Sequence, residues 1–374
     1  MKIIIIGPAF PLRGGIANFN EALCRSLQNA GHDVSVISFT LQYPFFLFPG
    51  TTQYDNGKGP EDIRIRPMIN SINPANWFRV AQYVKSKQPD LVIIRFWLPF
   101  MGPCLGTIAR LIRKNTKVIA VTDNVIPHEK KPGDRIFSSW FLKSMHGYIA
   151  MSKAVLEDIS LFEKDRPRRL LPHPVYNIFG EKTDRETALR ELQLSPENRY
   201  ILFFGIIRKY KGLDILLEAF SQFDYKKYKA KLLVAGEFYE DEQPYRDLIR
   251  QKGMGDEVMM HNHYIPSEKV KYYFAAADIV AQTYRSATQS GVAQIAYHFE
   301  RPLLVTDVGG LAEIVPHLKA GYVSLPEPAS VAGWLGDFYA KNRENEFLPN
   351  IIEEKKRFAW EYFVEGIESL YREL

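Results

Sequence analysis

Two short stretches of this sequence combine glycine with basic or hydroxyl side chains, the residue types that bind phosphate groups. The segment 205–212, Gly-Ile-Ile-Arg-Lys-Tyr-Lys-Gly, carries the cations Arg208 and Lys211. The segment 286–291, Ser-Ala-Thr-Gln-Ser-Gly, is rich in small and hydroxyl-bearing residues. Glycine lets backbone amides approach an anion, and cations neutralise the charge of a departing phosphate. The two segments together predict a site for a diphosphate group.

Both segments stand between a predicted strand and a predicted helix. Apolar residues at 200–204 and 278–281 indicate buried strands. Helices are predicted at 213–220 and from Gly291 onward. The two turns should then lie at the carboxyl edge of one parallel sheet, where open α/β folds bind ligands. Such turns are also ordinary connections in α/β proteins, so the pattern alone leaves both interpretations open.

A third turn follows the predicted strand 303–306, at Asp-Val-Gly-Gly. The run 301–315, Arg-Pro-Leu-Leu-Val-Thr-Asp-Val-Gly-Gly-Leu-Ala-Glu-Ile-Val, resembles the C-terminal signature of the family 4 retaining glycosyltransferases, which have the GT-B fold. Segment 205–212 is similar to the family's Gly-Arg-x-x-x-x-Lys-Gly signature at Lys211 and Gly212. It departs from the signature at Ile206, where the family has Arg, and Arg208 is the candidate substitute.

The N-terminal half repeats the alternation of strands and helices, which predicts another parallel sheet. Strands are predicted at 2–6, 34–39, 63–67, 91–96, 117–122 and 147–151. Gly14 and Gly15 precede an amphipathic helix, which resembles the N-terminal domain of the family. A nicotinamide-dependent enzyme is disfavoured, because no Gly-x-Gly-x-x-Gly follows the first strand and residues 38–40 lack the acid that binds a ribose.

The length and the resemblance together predict the domain organisation. A chain of 374 residues accommodates two or three domains of about 150 residues each. The resemblance implies a GT-B fold, an α/β architecture of two Rossmann-like domains with parallel sheets facing a central cleft. We expect an acceptor-side domain at 1–175, a nucleotide-sugar-binding domain at 176–356, and a C-terminal helix at 357–374 that crosses back to the first domain. A terminal helix packed on its own domain is the alternative.

Composition restricts the partners and the compartment. The 48 basic and 43 acidic residues give a net charge of +5, which suits anionic ligands or an anionic membrane surface and does not argue for nucleic acid. Cys24 and Cys104 are expected to be reduced and buried. Because the longest apolar stretch, 91–105, is too short to span a bilayer, we expect a cytoplasmic protein, with peripheral attachment to the inner face of the membrane left open. The aromatic segment 43–48 is interpreted as a loop packed on its own domain, with lipid contact as the alternative.

The resemblance also implies roles for particular residues. His128 follows the predicted strand 117–122 and would lie near the donor sugar, although a lone loop histidine is more often a surface group. Arg208 and Lys211 would stabilise the departing diphosphate together with the amides around Ser290 and Gly291. The residues expected at the donor nucleotide and diphosphate are Gly14, Gly15, Gly205, Tyr264, Ser286, Thr288, Gln289, Ser290, Gly291 and Gln294.

One departure from the family concerns its two glutamates, eight residues apart, which contact the sugar and the ribose. They correspond to Ser286 and Gln294, or to Ala287 and Ile295 if no residue is inserted before Pro302. Gln294 can still hydrogen-bond a ribose, whereas Ser286 is a poor replacement for a carboxylate. The identity of the donor therefore stays open, as does weakened catalysis.

The function implied by the resemblance is retaining transfer of a hexose from a UDP- or GDP-linked sugar to a hydroxyl acceptor. The acceptor would be a glycan or a lipid-linked group in the synthesis of cell-surface polysaccharide or glycolipid. Neither a metal nor another cofactor is expected, and the sequence has no Asp-x-Asp motif. One alternative is a nucleotide-sugar epimerase or hydrolase, which needs a pair of carboxylates. Another is a catalytically silent sugar-nucleotide binder.

Overall fold

The computed structural model describes residues 1–44, 52–55, 57–127, 131–175 and 178–374. The chain divides into two compact units. Unit 1 consists of Met1–Pro174 and Ala359–Leu374, and unit 2 consists of Val175–Phe358. The chain therefore leaves unit 1 after Pro174 and returns to it at Ala359.

Unit 1 is built on a sheet of seven parallel strands among its described residues, in the order β3-β2-β1-β4-β5-β6-β7. The strands are β1 Lys2–Ile6, β2 Asp33–Leu41, β3 Ile65–Asn70, β4 Leu91–Phe96, β5 Lys117–Thr122, β6 Gly147–Ala150 and β7 Arg168–Leu170. The helices are α1 Gly15–Asn29, α2 Pro74–Lys87, α3 Gly102–Ile112, α4 Asp134–Leu142, α5 Lys153–Ser160 and α13 Trp360–Glu373.

Unit 2 has a sheet of six parallel strands among its described residues, in the order β10-β9-β8-β11-β12-β13. The strands are β8 Arg199–Phe204, β9 Ala230–Ala235, β10 Val258–His261, β11 Ile279–Gln282, β12 Leu303–Thr306 and β13 Gly321–Ser324. The helices are α6 Arg185–Glu191, α7 Leu213–Gln222, α8 Gln243–Gln251, α9 Ser267–Ala276, α10 Gly291–His298, α11 Pro328–Ala340 and α12 Glu344–Lys355.

The central strands of both sheets are apolar along their whole length. Every residue of β4 and β11 is buried, as are all but the first residue of β1. Such continuous burial is typical of parallel strands whose two faces are both covered by helices. In each sheet the first strand lies in the interior, β1 between β2 and β4 and β8 between β9 and β11. The direction of strand addition reverses at these positions, which creates the crevice where open α/β sheets bind ligands.

The C-terminal region differs from the single helix predicted over 357–374 in where that helix begins. Helix α12 ends at Lys355, a 3-10 turn spans Lys356–Phe358, and Ala359 is extended at φ −65° and ψ 143° before α13 begins. The ring of Phe358 lies 4.9 Å from that of Tyr297 in unit 2, so it does not belong to the buried face of α13. Helical periodicity continues across this break in the sequence, which is why the pattern did not reveal it.

Neither cysteine forms a disulfide. Cys24 and Cys104 are free and buried, as predicted. Burial raises the pKa of the Cys24 thiol to about 12 and raises that of Cys104 further, so both are protonated at neutral pH. Among the helices of the described residues, none is both long enough and apolar enough to span a lipid bilayer.

Candidate functional site

The loop after β8 supplies the two cations predicted to bind a diphosphate. Gly205 follows the strand at φ 102°, and its amide donates to the Ala235 carbonyl at 2.9 Å. The loop then closes in a 3-10 turn over Lys209–Lys211 and enters α7 through Gly212 at φ 63°. A Cβ on Gly212 would lie 2.0 Å from the Thr283 carbonyl oxygen, so this close approach requires glycine.

The loop after β11 is hydrogen-bonded directly to the loop after β8. The Thr283 hydroxyl donates to the Gly212 carbonyl at 2.7 Å, and the Arg285 amide donates to the Tyr210 carbonyl at 2.7 Å. Strands β8 and β11 are neighbours in the sheet. The two predicted phosphate-binding loops therefore meet at one carboxyl edge of unit 2, at the reversal of strand order.

The loop after β12 completes this edge. The Thr306 hydroxyl donates to the Tyr284 carbonyl at 2.6 Å, and the Gly310 amide donates to the Ala287 carbonyl at 3.2 Å. Gly309 has φ 51°, and a Cβ there would lie 1.6 Å from the Ala287 carbonyl oxygen. The loops after three adjacent strands of the sheet are thus fixed against one another by hydrogen bonds and by contacts that only glycine permits.

Lys211 is the buried cation of the site. Its side chain is 9% exposed, and its Nζ lies 5.5 Å from the centroid of the Tyr284 ring. Across the part of the chain that the structure describes, no hydrogen bond or ion pair involves this Nζ. Burial lowers the pKa of Lys211, and the nearby charge of Arg208 lowers it further against an opposing effect of Tyr210. A buried ammonium without a counter-ion is costly, and an anionic ligand would offset that cost.

The first turn of α10 approaches the same point as Lys211. A Cβ placed on Gly205 would lie 3.4 Å from both Lys211 Nζ and Val292 Cγ2. The N-cap of α10 is Ser290, which makes no side-chain cap hydrogen bond. Because Ser290 does not cap the first-turn amides, this helix N-terminus favours an anion. Gly205, Lys211 and the start of α10 are therefore brought together.

Arg208 lies in the same loop but points to a different neighbour. It is half-buried, and its Cζ lies 5.4 Å from the centroid of the Tyr239 ring. Over the described residues it takes part in no ion pair. The positive charge of Arg208 contributes to the lowered pKa of Lys211. Two cations without carboxylate partners in one loop suit a ligand that carries more than one negative charge.

The remaining predicted donor residues of unit 2 are placed as follows. Ser286, Thr288, Gln289 and Gly291 are half-buried in the loop after β11 or at the first residue of α10, and Ser290 is 4% exposed. Tyr264 follows β10 at the same edge of the sheet, but two strands away from β8, and is half-buried. The sheet therefore places Tyr264 at the periphery of the site.

Gln294 is an unusual residue of α10. Its side chain is fully buried, and neither amide atom has a hydrogen-bond partner among the described residues. A buried polar group without a hydrogen-bond partner costs about 1–3 kcal/mol of folding free energy, and such groups are rare in folded proteins. Because the side chain has no exposed surface, a ribose can reach it only after neighbouring groups move. The structure thus shows an unsatisfied amide at the predicted position, without open access to it.

The predicted residues of unit 1 lie at the corresponding edge of the other sheet. Gly14 has φ 110° and is the N-cap of α1, and Gly15 is its first residue. No atom lies within 4 Å of a Cβ built on Gly14, so open space adjoins it. His128 lies outside the described residues, as does most of the aromatic segment 43–48. Its first residue, Tyr43, accepts a hydrogen bond from Trp97 Nε1 at 2.5 Å within unit 1.

A buried ion pair in unit 1 was not identified from the sequence. Arg95 of β4 donates from Nε to Asp123 Oδ2 at 2.6 Å and from Nη2 to Oδ1 at 2.5 Å. Its guanidinium lies 3.8 Å from the centroid of the Phe19 ring, which belongs to α1. Arg95 is a charged residue inside the apolar run 91–96, and this feature of the sequence could have indicated a buried ion pair. The pair fixes the ends of β4 and β5 beside α1.

Comparisons with known proteins agree with this geometry. The family described as glycosyl transferases group 1 matches residues 184–352, and glycosyltransferase family 4 matches residues 13–175. An uncharacterised glycosyltransferase of Methanocaldococcus jannaschii is 23% identical over 100% of this chain and 98% of its own. A D-inositol 3-phosphate glycosyltransferase of Acidothermus cellulolyticus is 26% identical over 58% of this chain and 50% of its own.

Solved structures show the same fold over the whole chain. HepE from Anabaena, solved in complex with UDP, matches with a TM-score of 0.77 at 16% identity and covers 100% of both chains. Sucrose-phosphate synthase from Thermosynechococcus elongatus matches with a TM-score of 0.76 at 16% identity and covers 100% of this chain and 99% of its own. With two Rossmann-like units and family models matching each of them, the chain belongs to the group 1, family 4 glycosyltransferases and has the GT-B fold.

Proposed function

We propose that this glycosyltransferase moves a hexose from a nucleoside-diphosphate sugar to a hydroxyl acceptor, with retention of anomeric configuration and without a bound metal. The observation that carries the proposal is Lys211, buried without a counter-ion beside Gly205 and the first turn of α10. A diphosphate supplies the negative charge that this environment lacks. The same position would stabilise the charge that develops as the nucleoside diphosphate departs.

The proposed reaction follows from where the positive charge lies. The bond between the anomeric carbon and the diphosphate oxygen breaks, and its electron pair goes to the diphosphate beside Lys211 and Arg208. The acceptor hydroxyl attacks from the same face, and its proton passes to the departing diphosphate. In this account the two cations and the amides of α10 perform the neutralisation that a metal performs in other transferases.

The donor and acceptor are proposed at the level of their chemistry. HepE was also solved in complex with UDP-glucose, which supports a UDP-linked hexose as the first donor to try and a GDP-linked one as the next. Gln294 would hydrogen-bond the ribose, which would satisfy its orphaned amide once the covering groups move. The proposed acceptor is a glycan or a lipid-linked hydroxyl in cell-surface polysaccharide or glycolipid synthesis. A lipopolysaccharide 1,2-N-acetylglucosaminetransferase of Salmonella typhimurium, 23% identical over 50% of this chain, supports that direction.

The test is a screen of UDP-, GDP- and ADP-sugars in EDTA, in which release of the nucleoside diphosphate is measured with and without added acceptors. Release that depends on an acceptor is the expected result, and the anomeric configuration of the product then reports retention. Release without any acceptor would instead indicate a hydrolase. Binding without turnover for every donor and acceptor would indicate a silent binder, and absence of binding would contradict the proposal.

A further inference from the structure

Helix α4 of unit 1 presents three large apolar side chains to solvent. Ile136 is 71% exposed, Phe137 37% and Trp140 43%. These positions lie on one side of the helix. Leu142 is fully buried on the opposite side, and Phe141, four residues after Phe137, is fully buried at the edge of the exposed side. Contiguous exposed apolar side chains of this size mark an interaction surface more often than isolated ones do.

The exposed face is held by tight packing beneath it. A Cβ on Gly102 of α3 would lie 2.3 Å from the Phe137 carbonyl oxygen, and one on Gly106 would lie 2.7 Å from Trp140 Cδ1. The Phe141 ring stacks on Phe96 of β4 with centroids 4.0 Å apart. Two glycines one helical turn apart therefore let α4 pack directly on α3. The apolar side chains are exposed on a helix whose position is fixed.

Cations surround this apolar face. The Arg110 guanidinium lies 3.9 Å from the centroid of the Trp140 ring and donates to the Trp140 carbonyl at 3.3 Å. Arg113 donates to the Lys143 carbonyl at 3.0 Å, which places it at the end of α4. Further exposed cations on or beside the helix are Lys114, Lys131, Arg135 and Lys143. Burial lowers the pKa of Arg113, and the charges of Arg166 and Arg110 lower it further, as expected where positive charges gather.

These cations lack carboxylate partners. Within the described ranges no ion pair involves Arg110, Arg113, Arg135 or Lys143. The one acid on the helix is Asp134, at its first turn, where it accepts from the Lys131 amide at 2.7 Å. We call Ile136, Phe137 and Trp140, with the rim Arg110, Arg113, Arg135 and Lys143, the α4 surface. Its charge is positive around an apolar centre.

We propose that the α4 surface binds an anionic lipid bilayer at its interface. Tryptophan is enriched at the depth of lipid headgroups, aliphatic side chains such as Ile136 insert below it, and each nearby cation adds electrostatic attraction to anionic lipids. Charge complementarity favours a lipid surface over a second copy of this chain, whose own α4 surface would repel it. This inference rests on the proposed function in one respect only: a lipid-linked acceptor would be held in the bilayer that the α4 surface binds.

The experiment is co-sedimentation of the full chain with vesicles of phosphatidylcholine alone or mixed with phosphatidylglycerol, without donor. The chain should sediment with the anionic vesicles, and added salt should release part of it. Ile136→Ser should lower the partition coefficient about tenfold, because one aliphatic side chain no longer inserts. The matched control Ile352→Ser, on α12 of unit 2 where Ile352 is 44% exposed, should leave it unchanged.

A second pair of variants tests the charge. Arg135→Gln with Lys143→Gln should lower binding to anionic vesicles about tenfold at low salt, and Lys226→Gln with Lys227→Gln in unit 2 should not. The proposal is overturned if the wild-type chain ignores anionic vesicles or if both isoleucine variants bind alike. It is also overturned if Ile136→Ser instead abolishes a concentration-dependent dimer. Donor binding, measured by calorimetry without vesicles, should be equal in wild type and Ile136→Ser, so a failure of the proposed function would appear there separately.

Discussion

At the scale of single residues, the proposed function depends on Lys211. Its ammonium is buried beside a glycine and a helix N-terminus, with no carboxylate near enough to pair with it in the described residues. Structural lysines rarely adopt this state, because desolvation of an unpaired charge is costly. A site that binds a diphosphate explains why the cost is tolerated.

Substitution of this lysine should remove most of the activity. Lys211→Ala is expected to lower kcat/KM about a hundredfold, or about 2.7 kcal/mol of transition-state stabilisation, since one preorganised charge contact is lost. Lys209→Ala is the matched control, because Lys209 is exposed two residues away in the same turn. Steady-state kinetics on the best donor measures both. Equal rates for the two variants would contradict the role of Lys211.

The lowered pKa of Lys211 predicts an alkaline limb in the pH profile. Burial lowers this pKa below the ordinary value of 10.5. Lys211 has to be protonated to stabilise the diphosphate, so kcat/KM should hold below its pKa and fall as the pH rises through it. Lys211→Arg keeps the charge to higher pH, and its limb should move in the alkaline direction. If the alkaline limb lay at the same pH in wild type and in Lys211→Arg, the limb would report the titration of another group.

The sequence revealed some site residues and not others, for physical reasons. Arg208 and Lys211 were identifiable because basic residues between glycines after a strand are uncommon and chemically specific. The bidentate contact of Arg95 with Asp123 was not identified, because their pairing depends on the register of β4 and β5. The orphaned amide of Gln294 likewise depends on packing around α10, which no local pattern encodes.

At the scale of elements, the site is built by the contact between loops rather than by any one loop. The loops after β8, β11 and β12 exchange hydrogen bonds through Gly212, Thr283 and Ala287. Gly212 and Gly309 stand where a side chain would strike a backbone carbonyl. These glycines therefore position Lys211 and α10, and they should be as sensitive to substitution as the cations are.

Gly212→Ala tests this positioning role. Gly212 and Gly253 have nearly equal φ angles, 63° and 65°, but only Gly212 lies against a carbonyl oxygen, at 2.0 Å from a built Cβ. Gly253→Ala should cost about 1 kcal/mol of unfolding free energy from its backbone angle alone. Gly212→Ala should cost about 1–3 kcal/mol more and should also abolish donor binding. Urea unfolding and calorimetry measure the two effects, and equal losses of stability would show that the close contact is unimportant.

Most elements were predictable because each central strand is a short apolar run after a turn. Lys2–Ile6, Leu91–Phe96, Lys117–Thr122 and Leu303–Thr306 have the bounds that the sequence predicts. The strands β7 and β13 were not predicted, because Arg168–Leu170 is half-buried and polar and Gly321–Ser324 contains glycine and serine. Both lie at sheet edges, and neither has the continuous apolar run that marks the central strands.

At the scale of the whole molecule, the chain forms two units that repeat one architecture. Each has a parallel sheet whose first strand is interior, and each carries glycines after that strand, Gly14 in unit 1 and Gly205 in unit 2. The group 1 family model covers unit 2 and the family 4 model covers unit 1. The α4 surface belongs to unit 1, whereas Arg208 and Lys211 belong to unit 2. Lipid binding and donor binding are therefore separable properties of the chain.

The proposed function requires a nucleoside diphosphate to bind at the carboxyl edge of the unit 2 sheet. The most direct measurement is hydrogen exchange of the full chain in EDTA, with and without a nucleoside diphosphate that binds in the donor screen. Peptides covering residues 205–212 and 286–294 should exchange more slowly with the nucleotide present, and Lys211→Ala should abolish this protection. Protection confined to other segments, or unchanged protection in Lys211→Ala, would contradict the claim.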